Sequence, residues 1–146
     1  MKKTNTRLRL CITLLVLNLI FIWGNSLLPG EISGAFSQWV KELLGIAPGD
    51  PHTGHGLLRK IAHFTEFACL GLYLQWLHGM LKKPFWRSLC LGAFAACVDE
   101  CIQMFIPDRG PAIKDVLIDS AGVCLGVCLL WVCMILKFKK CKENIV

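Results

Sequence analysis

The sequence predicts an all-α membrane protein with four transmembrane helices and an amphipathic helix in a long extracytoplasmic loop. Three observations lead to this prediction: 55% of the 146 residues are hydrophobic, only 18% are charged, and the apolar residues gather in four long runs. A soluble domain is about one quarter charged, so this composition could not cover its surface. A large soluble catalytic domain, a disordered regulator and a nucleic-acid binder are thereby excluded.

Four apolar runs approach the roughly 20 residues that a membrane-spanning helix needs. They extend over about residues 8–28, 57–81, 85–106 and 116–138. No repeat or linker separates them, so residues 1–146 are interpreted as one integral membrane domain. The first run also fits a cleaved signal peptide, because Lys and Arg precede it. Since no small-x-small cleavage site directly follows Trp23, we expect this run to be retained as an anchor.

Lys and Arg residues are distributed unevenly among the segments that connect the runs. Eleven of the sixteen lie before or at the start of the first run, in or beside the short turn between the second and third runs, or at or after the end of the fourth. Cytoplasmic segments are enriched in these residues, so both termini are predicted to be cytoplasmic in a multi-pass protein. The net charge of +6 is therefore an orientation signal rather than a nucleic-acid-binding surface.

The longest loop, residues 25–56, is extracytoplasmic in this topology. Over residues 32–44 its apolar side chains recur with the i, i+3, i+4, i+7 spacing of an amphipathic helix at a membrane interface. The apolar stripe comprises Ile32, Ala35, Phe36, Trp39, Val40, Leu43 and Leu44. This helix is either a lid over a lipid-facing cleft or an element packed on the bundle to bury its stripe, and the second alternative is favoured. Residues 47–51 are predicted to form a turn.

Five ionisable side chains lie within the predicted spans. They are His63, Glu66, Asp99, Glu100 and Asp119, and Gln103 adds a neutral polar group. Ionisable residues are costly inside a bilayer and usually mark a function. At 1.5 Å per residue, all five lie between roughly 6 and 13 Å from the outer ends of their helices. We therefore predict one polar layer in the outer half of the membrane, formed by the second, third and fourth spans.

Helical phase supports a single layer. Arg59, His63 and Glu66 are spaced i, i+4, i+7 and share one face of the second span. Asp99 and Gln103 are spaced i, i+4 on the third span. These spacings predict that each helix turns one polar face toward its neighbours.

The fourth span combines acidic and small residues on one face. Asp115, Asp119, Gly122 and Gly126 follow the i, i+4, i+7, i+11 spacing. Glycines four residues apart allow close approach of a partner helix in a membrane. We expect this contact to carry Asp119 into the bundle.

Cysteines with helical spacing occur in the same spans. Cys97 and Cys101, like Cys124 and Cys128, are four residues apart within apolar stretches. They are interpreted as small packing residues of the core rather than as a thiol site.

The chemistry of the polar layer has several interpretations. An imidazole among carboxylates suits acid–base chemistry, proton exchange or cation binding, whereas a hydrogen-bonded network would serve only to fix helix packing. His63-x-x-Glu66 offers two metal ligands, which Asp99, Glu100 or Asp119 could complete. The spans lack a second His at this depth and the Glu-x-x-His order of di-iron bundles. No metal or cofactor is therefore predicted.

Two motifs carry a resemblance to a known family. The first is Arg59-Lys60-x-x-His63-Phe64-x-Glu66, and the second is Asp99-Glu100-x-x-Gln103-x-Phe105-x-Pro107-x-Arg109, followed by Asp115 and Gly122-x-x-x-Gly126. Together they closely resemble the VanZ-like family of bacterial membrane proteins over essentially the whole chain. Two positions depart from the family pattern: Phe67 stands where Tyr is common, and Asp119 where Asn is common.

The resemblance implies a role in the bacterial cell envelope, because the family's named member gives low-level resistance to teicoplanin. It implies membrane lipids as partners, and a lipid-linked cell-wall precursor or a lipoglycopeptide as ligand. No nucleic-acid partner is expected, and the oligomeric state is left open. Proton-coupled transport is disfavoured, since four helices leave little room for alternating access.

Two functional hypotheses remain. In the first, a non-catalytic protein uses the outer polar site to modulate susceptibility to glycopeptide antibiotics. In the second, an intramembrane enzyme performs acid–base chemistry on a lipid-linked or amphipathic substrate. The catalytic residues of that enzyme would be His63, Glu66, Asp99 and Glu100. The predicted substrate-binding residues are Arg59, Gln103, Arg109, Asp115 and Asp119.

Overall fold

The computed structural model describes residues 2–43, 45, 51–110 and 112–143. Five α-helices follow one another in the chain: α1 (Lys2–Ser26), α2 (Gly30–Leu43), α3 (Pro51–Met80), α4 (Trp86–Gln103) and α5 (Ile113–Glu143). The described residues contain no β-strand. Each of the five predicted helices is present, and the all-α class is confirmed.

The helix ends differ from the predicted ones where proline acts on the backbone. α3 begins at Pro51, six residues before the predicted start, because proline is favoured in the first turn of a helix. The rest of the predicted turn over residues 47–51 lies outside the described residues. α4 ends at Gln103 rather than at residue 106, since the residue before Pro107 disfavours helical geometry.

The helix α3 is the centre of the bundle, because it contacts all four other helices. The hydrophobic core lies between α3, α4 and α5, with one residue from α1. Its buried members are Ile22, Phe67, Leu70, Leu74, Ala95, Ala96, Val123 and Val127. Three helices that share one core are thereby fixed relative to one another, which gives the polar layer a rigid support.

The closest helix–helix contact joins α3 and α5. A Cβ atom on Gly122 would collide with the backbone carbonyl of Phe64, and one on Gly126 with that of Ala68. The predicted role of the two glycines is thus confirmed: they let α5 approach the backbone of α3 directly. The contact also places Asp119 inside the bundle, where its side chain is 1% exposed.

Two helices in the described part of the chain are long and apolar enough to cross a membrane. They cover Asn5–Ser26 in α1 and Ile113–Lys137 in α5. The helices α3 and α4 carry most of the ionisable residues of the polar layer. The number of four spans and the cytoplasmic location of the termini stay predictions.

The helix α2 packs with the opposite orientation to the one favoured from its sequence. Its buried side chains are Ser37 and Lys41, whereas Phe36 is 63% and Trp39 55% exposed. The expectation that the apolar stripe packs on the bundle is therefore wrong. An amphipathic helix whose apolar face is turned outward suits a lipid environment, and the predicted Leu44 at its end lies outside the described residues.

The interpretation of the cysteines as core residues is also wrong for the pairs with helical spacing. Cys97, Cys101, Cys124 and Cys128 are exposed, and Cys11 is the buried one among the described cysteines. All eight described cysteines are free thiols. A small apolar side chain tolerates lipid as well as protein, so burial could not be inferred from the apolar surroundings.

Candidate functional site

A hydrogen-bonded network centred on Asp99 joins the ends of α1, α3 and α4. The Asp99 side chain is fully buried. The hydroxyl of Ser26 donates to Asp99 Oδ1 at 2.6 Å, and Gln103 Nε2 donates to Asp99 Oδ2 at 2.8 Å. Arg59 Nη2 in turn donates to Gln103 Oε1 at 2.6 Å. The predicted convergence of α3 and α4 is therefore present around this carboxylate.

The end of α1 supplies two polar residues to which the sequence analysis gave no role. Ser26 binds Asp99, and Asn25 Nδ2 donates to Glu66 Oε1 at 3.4 Å. The backbone carbonyl of Asn25 accepts a hydrogen bond from Arg109 Nη2 at 3.1 Å. The available signal was a pair of polar residues at the end of an apolar run, which by itself does not reveal which helix they face.

Glu100 does not share the environment of Asp99. Its Oε2 atom accepts a hydrogen bond from the backbone N–H of Ala112 at 2.9 Å. Glu100 thus ties the end of α4 to the segment that leads into α5. Asp115, in the first turn of α5, lines a small cavity together with His63 and Asp119.

Arg109 is buried in the segment between α4 and α5. Its Nε and Nη1 atoms have no hydrogen-bond partner among the described residues. Burial, followed by the nearby positive charge of Arg59, lowers the pKa of the Arg109 guanidinium from its ordinary value. The three N–H groups on these two nitrogen atoms could donate to an anion or to a water molecule.

His63, Asp99 and Asp119 bring together one potential ligand atom each from α3, α4 and α5. These three atoms lie within 4.8 Å of one another. His63 Nδ1 is 3.9 Å from Asp99 Oδ2, which is too far for a hydrogen bond. His63 Nδ1 and both carboxylate oxygens of Asp119 have no hydrogen-bond partner among the described residues. The polar layer is therefore incompletely satisfied on the side of Asp119.

A groove with a volume of about 580 Å³ lies between α1, α2 and α3. Its walls are mostly apolar, and each helix contributes large or aliphatic side chains. They include Ile20 and Phe21 from α1, Phe36 and Val40 from α2, and Leu58 and Ala62 from α3. The helix α2 therefore forms one wall of a cleft, as in the lid alternative of the sequence analysis.

The polar layer and the groove meet at three side chains. Asn25, Arg59 and Glu66 line the groove. Arg59 is joined through Gln103 to the network around Asp99, and Asn25 donates to Glu66 beside it. Glu66 Oε2 has no hydrogen-bond partner among the described residues. An amphipathic ligand could therefore place an apolar chain along the groove and a polar group against these residues.

A second buried polar cluster lies at the other end of α3. Ser88 Oγ donates to Gln75 Oε1 at 2.9 Å and lies 2.8 Å from His78 Nδ1. Because the Ser88 hydroxyl donates its proton to Gln75, its oxygen can only accept from His78. The Nδ1 atom of His78 therefore carries the proton and donates it to Ser88 Oγ. None of these three side chains has a fully buried polar atom without a partner among the described residues, which is typical of a structural tie between α3 and α4.

The sequence matches the model of a known protein family. The family model described as VanZ/LLP1 matches residues 3–136. The chain belongs to the VanZ/LLP1 family. No curated protein and no solved structure gives a significant match. The matched range includes all residues that line the groove or form the polar layer, so both lie within the family region.

Proposed function

We propose that this VanZ-like chain is a cell-envelope protein that binds an amphipathic, lipid-linked envelope molecule and thereby changes susceptibility to glycopeptide antibiotics such as teicoplanin. The single observation that carries the proposal is the groove of about 580 Å³. Its apolar walls lead to Asn25, Arg59 and Glu66. Pockets for amphipathic ligands combine an apolar lining with a few polar groups of this kind.

Arg59 gives the polar end of the groove its preference for an anionic headgroup. Its Nη2 atom is engaged with Gln103, which fixes the guanidinium at the boundary between groove and polar layer. Arginine pairs well with phosphate groups because of its planar set of N–H donors. Lipid-linked cell-wall precursors carry an apolar chain and a phosphate-bearing headgroup, and both parts have a matching surface here.

The proposal includes four spans, cytoplasmic termini and a location in the bacterial cell membrane. The distribution of Lys and Arg supports this orientation, and the groove and polar layer would then lie on the outer side, where teicoplanin-type drugs act. Reporter fusions after Leu81 and after Phe138 should report the cytoplasm, and one near Pro48 the exterior. A cytoplasmic signal near Pro48 would contradict a site on the outer side.

The enzyme alternative receives no support from the family match. No reaction is therefore assigned to His63, Glu66, Asp99 and Glu100. Their predicted catalytic role remains a hypothesis that is based on the sequence alone.

A matched pair of glycine substitutions tests the binding proposal. Gly24 lines the groove, Gly34 does not line it, and a Cβ at either position meets nothing within 4 Å. Gly24→Leu should fill the groove without disturbing the backbone, whereas Gly34→Leu should leave the groove open. Both variants make the same change within a helix, so their effects on helix stability should be similar.

The readouts are binding and drug susceptibility. Purified protein in lipid nanodiscs should bind a labelled lipid-linked cell-wall precursor, and Gly24→Leu should weaken this binding while Gly34→Leu should not. In a susceptible Gram-positive host, expression of the wild type and of Gly34→Leu should raise the minimum inhibitory concentration of teicoplanin, and Gly24→Leu should not. Equal binding and equal susceptibility for both variants would contradict the role of the groove.

A further inference from the structure

Two buried carboxylates in the polar layer lack a permanent positive charge within ion-pair distance. Asp99 is 0% and Asp119 1% exposed. Among the described side chains, the one ionic contact recorded is between Asp99 and His63, at 3.9 Å. Buried carboxylates are stable only when they are paired, protonated or bound to a cation. The neighbouring Arg59 does not fill this role, because its Nη2 atom donates to Gln103.

Hydrogen bonds satisfy Asp99 but not the groups beside it. Asp99 accepts one bond on each oxygen, from Ser26 and from Gln103. Both oxygens of Asp119 and the Nδ1 atom of His63 are buried without a partner. Protonation of Asp119 would remove its charge, but the new O–H group would still lack an acceptor. A ligand that accepts electron pairs from all three residues would satisfy them together.

The geometry points to a metal ion: we propose that His63 Nδ1 and one carboxylate oxygen each of Asp99 and Asp119 bind a divalent cation of the Mn²⁺ or Zn²⁺ type. A ring nitrogen of His63 and one carboxylate oxygen each of Asp99 and Asp119 lie within 4.8 Å of one another. Ligands about 2.0 to 2.2 Å from one ion are separated by at most about 4.4 Å, so a small movement of the His63 and Asp119 side chains, whose Nδ1 and carboxylate oxygens have no hydrogen-bond partner among the described residues, brings the ligands into range. Two carboxylates also balance the charge of a divalent ion.

A cavity beside the three residues supplies access and room for water. It has a volume of about 70 Å³ and is lined by His63, Asp119, Asp115, Arg59, Lys60 and Ile118. A metal site with three protein ligands completes its coordination with water or a ligand group. Because the ligands come from α3, α4 and α5, the bound ion would connect the three helices that share the core.

This cation site differs from the absence of a metal predicted from the sequence. The sequence argument required two His residues at one depth, whereas the structure places one imidazole and two carboxylates from three helices together. The inference goes beyond the proposed function and does not depend on it, since a cation could bind here in a protein without effect on antibiotic susceptibility.

Mn²⁺ is the probe of choice, because the eight described free cysteines would compete for Zn²⁺ but bind Mn²⁺ poorly. The full-length protein in nanodiscs of zwitterionic phosphatidylcholine is titrated with Mn²⁺. The free ion is counted by its electron paramagnetic resonance signal. The wild type should remove one equivalent of free Mn²⁺ per chain, and its melting temperature should rise with Mn²⁺ concentration.

Asp119→Asn and His63→Gln remove ligands, and Asp108→Asn is the matched control. Asp108 is exposed, outside the cluster, and its left-handed φ of 59° is tolerated by Asn. The two ligand variants should bind Mn²⁺ at least about 10-fold more weakly and lose the rise in melting temperature, whereas Asp108→Asn should match the wild type.

Two results would overturn the cation site. One is the absence of saturable Mn²⁺ binding by the wild type, which needs no variant to fold. The other is Mn²⁺ binding by Asp119→Asn with wild-type affinity and stoichiometry. Neither result bears on the groove, because the Gly24 and Gly34 variants are measured with the lipid-linked precursor and not with the ion.

Discussion

Glycines have opposite environments on the two sides of α3. On the α5 side, a Cβ atom on Gly71, Gly122 or Gly126 would collide with the backbone of the facing helix. On the α1–α2 side, Gly24 and Gly34 have open space where their Cβ atoms would be. The same residue type therefore permits direct backbone contact on one side, and at Gly24 it leaves part of a groove unfilled on the other.

The two sides of α3 therefore differ in what they offer: close packing against α5 on one side, and space for a ligand beside α1 and α2 on the other. The close α3–α5 contact fixes His63 and Asp119 relative to each other, while the α1–α2 side offers a cavity beside Arg59 and Glu66. A rigid contact next to an open groove is the arrangement expected of a preorganised ligand site. Substitutions on the two sides should consequently affect different measurements, and the following variants test this from the largest to the smallest effect on stability.

Gly126→Val should have the largest effect on stability. The new side chain would meet the backbone of Ala68 and Leu72, and α5 would have to move away from α3. Overpacking of this kind costs about 1 to 3 kcal/mol or more. We expect a large fall in the melting temperature in detergent and in the abundance of the membrane-inserted protein.

The matched control is Gly24→Val, because a Cβ atom at Gly24 meets nothing within 4 Å. It should keep the abundance of the wild type, apart from the effect of a β-branched residue on the helix. Comparable losses for both variants would show that the two sides of α3 are equally packed, against the comparison drawn above.

Ser26→Ala should have an intermediate effect. It removes the donor to Asp99 Oδ1 and leaves a fully buried carboxylate oxygen without that bond. Such an unsatisfied group costs about 1 to 3 kcal/mol. The melting temperature should therefore fall, whereas Ser37→Ala, whose hydroxyl donates to the Ser33 carbonyl of its own helix, should change it little. An unchanged melting temperature for Ser26→Ala would show that the network around Asp99 does not stabilise the packing of α1.

The sequence predicted the parts of this arrangement that depend on the phase of one helix. The spacing from Asp119 to Gly122 and Gly126 identified the face that contacts α3. His63 lies beside Asp99, as expected. The sequence could not predict the contact between Ser26 and Asp99, because which helices become neighbours is a tertiary property. Glu100 was assigned to the layer by depth, although it lies about 100° around the helix from Asp99 and binds the backbone of Ala112.

The orientation of α2 was wrong for a different physical reason. An apolar stripe shows that a helix face avoids water, but lipid and protein are both apolar surroundings. Ser37 and Lys41 are buried against the protein, and Trp39 is turned outward. A periodic pattern alone does not distinguish the two cases.

Arg59→Gln tests ligand binding at the polar end of the groove. Arg59 lines the groove, so its loss should weaken binding of a phosphate-bearing lipid and abolish the rise in teicoplanin resistance. Lys60→Gln is the control, because it removes the same charge from an exposed neighbour on α3. Both variants should fold, as measured by abundance, although Arg59→Gln should also lower the melting temperature because it removes the donor to Gln103 Oε1. Equal loss of binding would indicate a general effect of positive charge rather than contact in the groove.

Trp39→Glu should have the smallest effect on stability in detergent, since Trp39 lies on the exposed stripe of α2 and not in the core. In a bilayer the same change places a charge where the stripe would contact lipid, and interfacial helices bind through such apolar residues. We therefore expect the wild-type melting temperature in detergent but a lower one in nanodiscs. Gln38→Glu, which adds the same charge to the neighbouring exposed residue outside the apolar stripe, should leave both values unchanged. A lower melting temperature of Trp39→Glu in detergent would mean that Trp39 packs against protein. The α1–α2 side of α3 would then be packed rather than open.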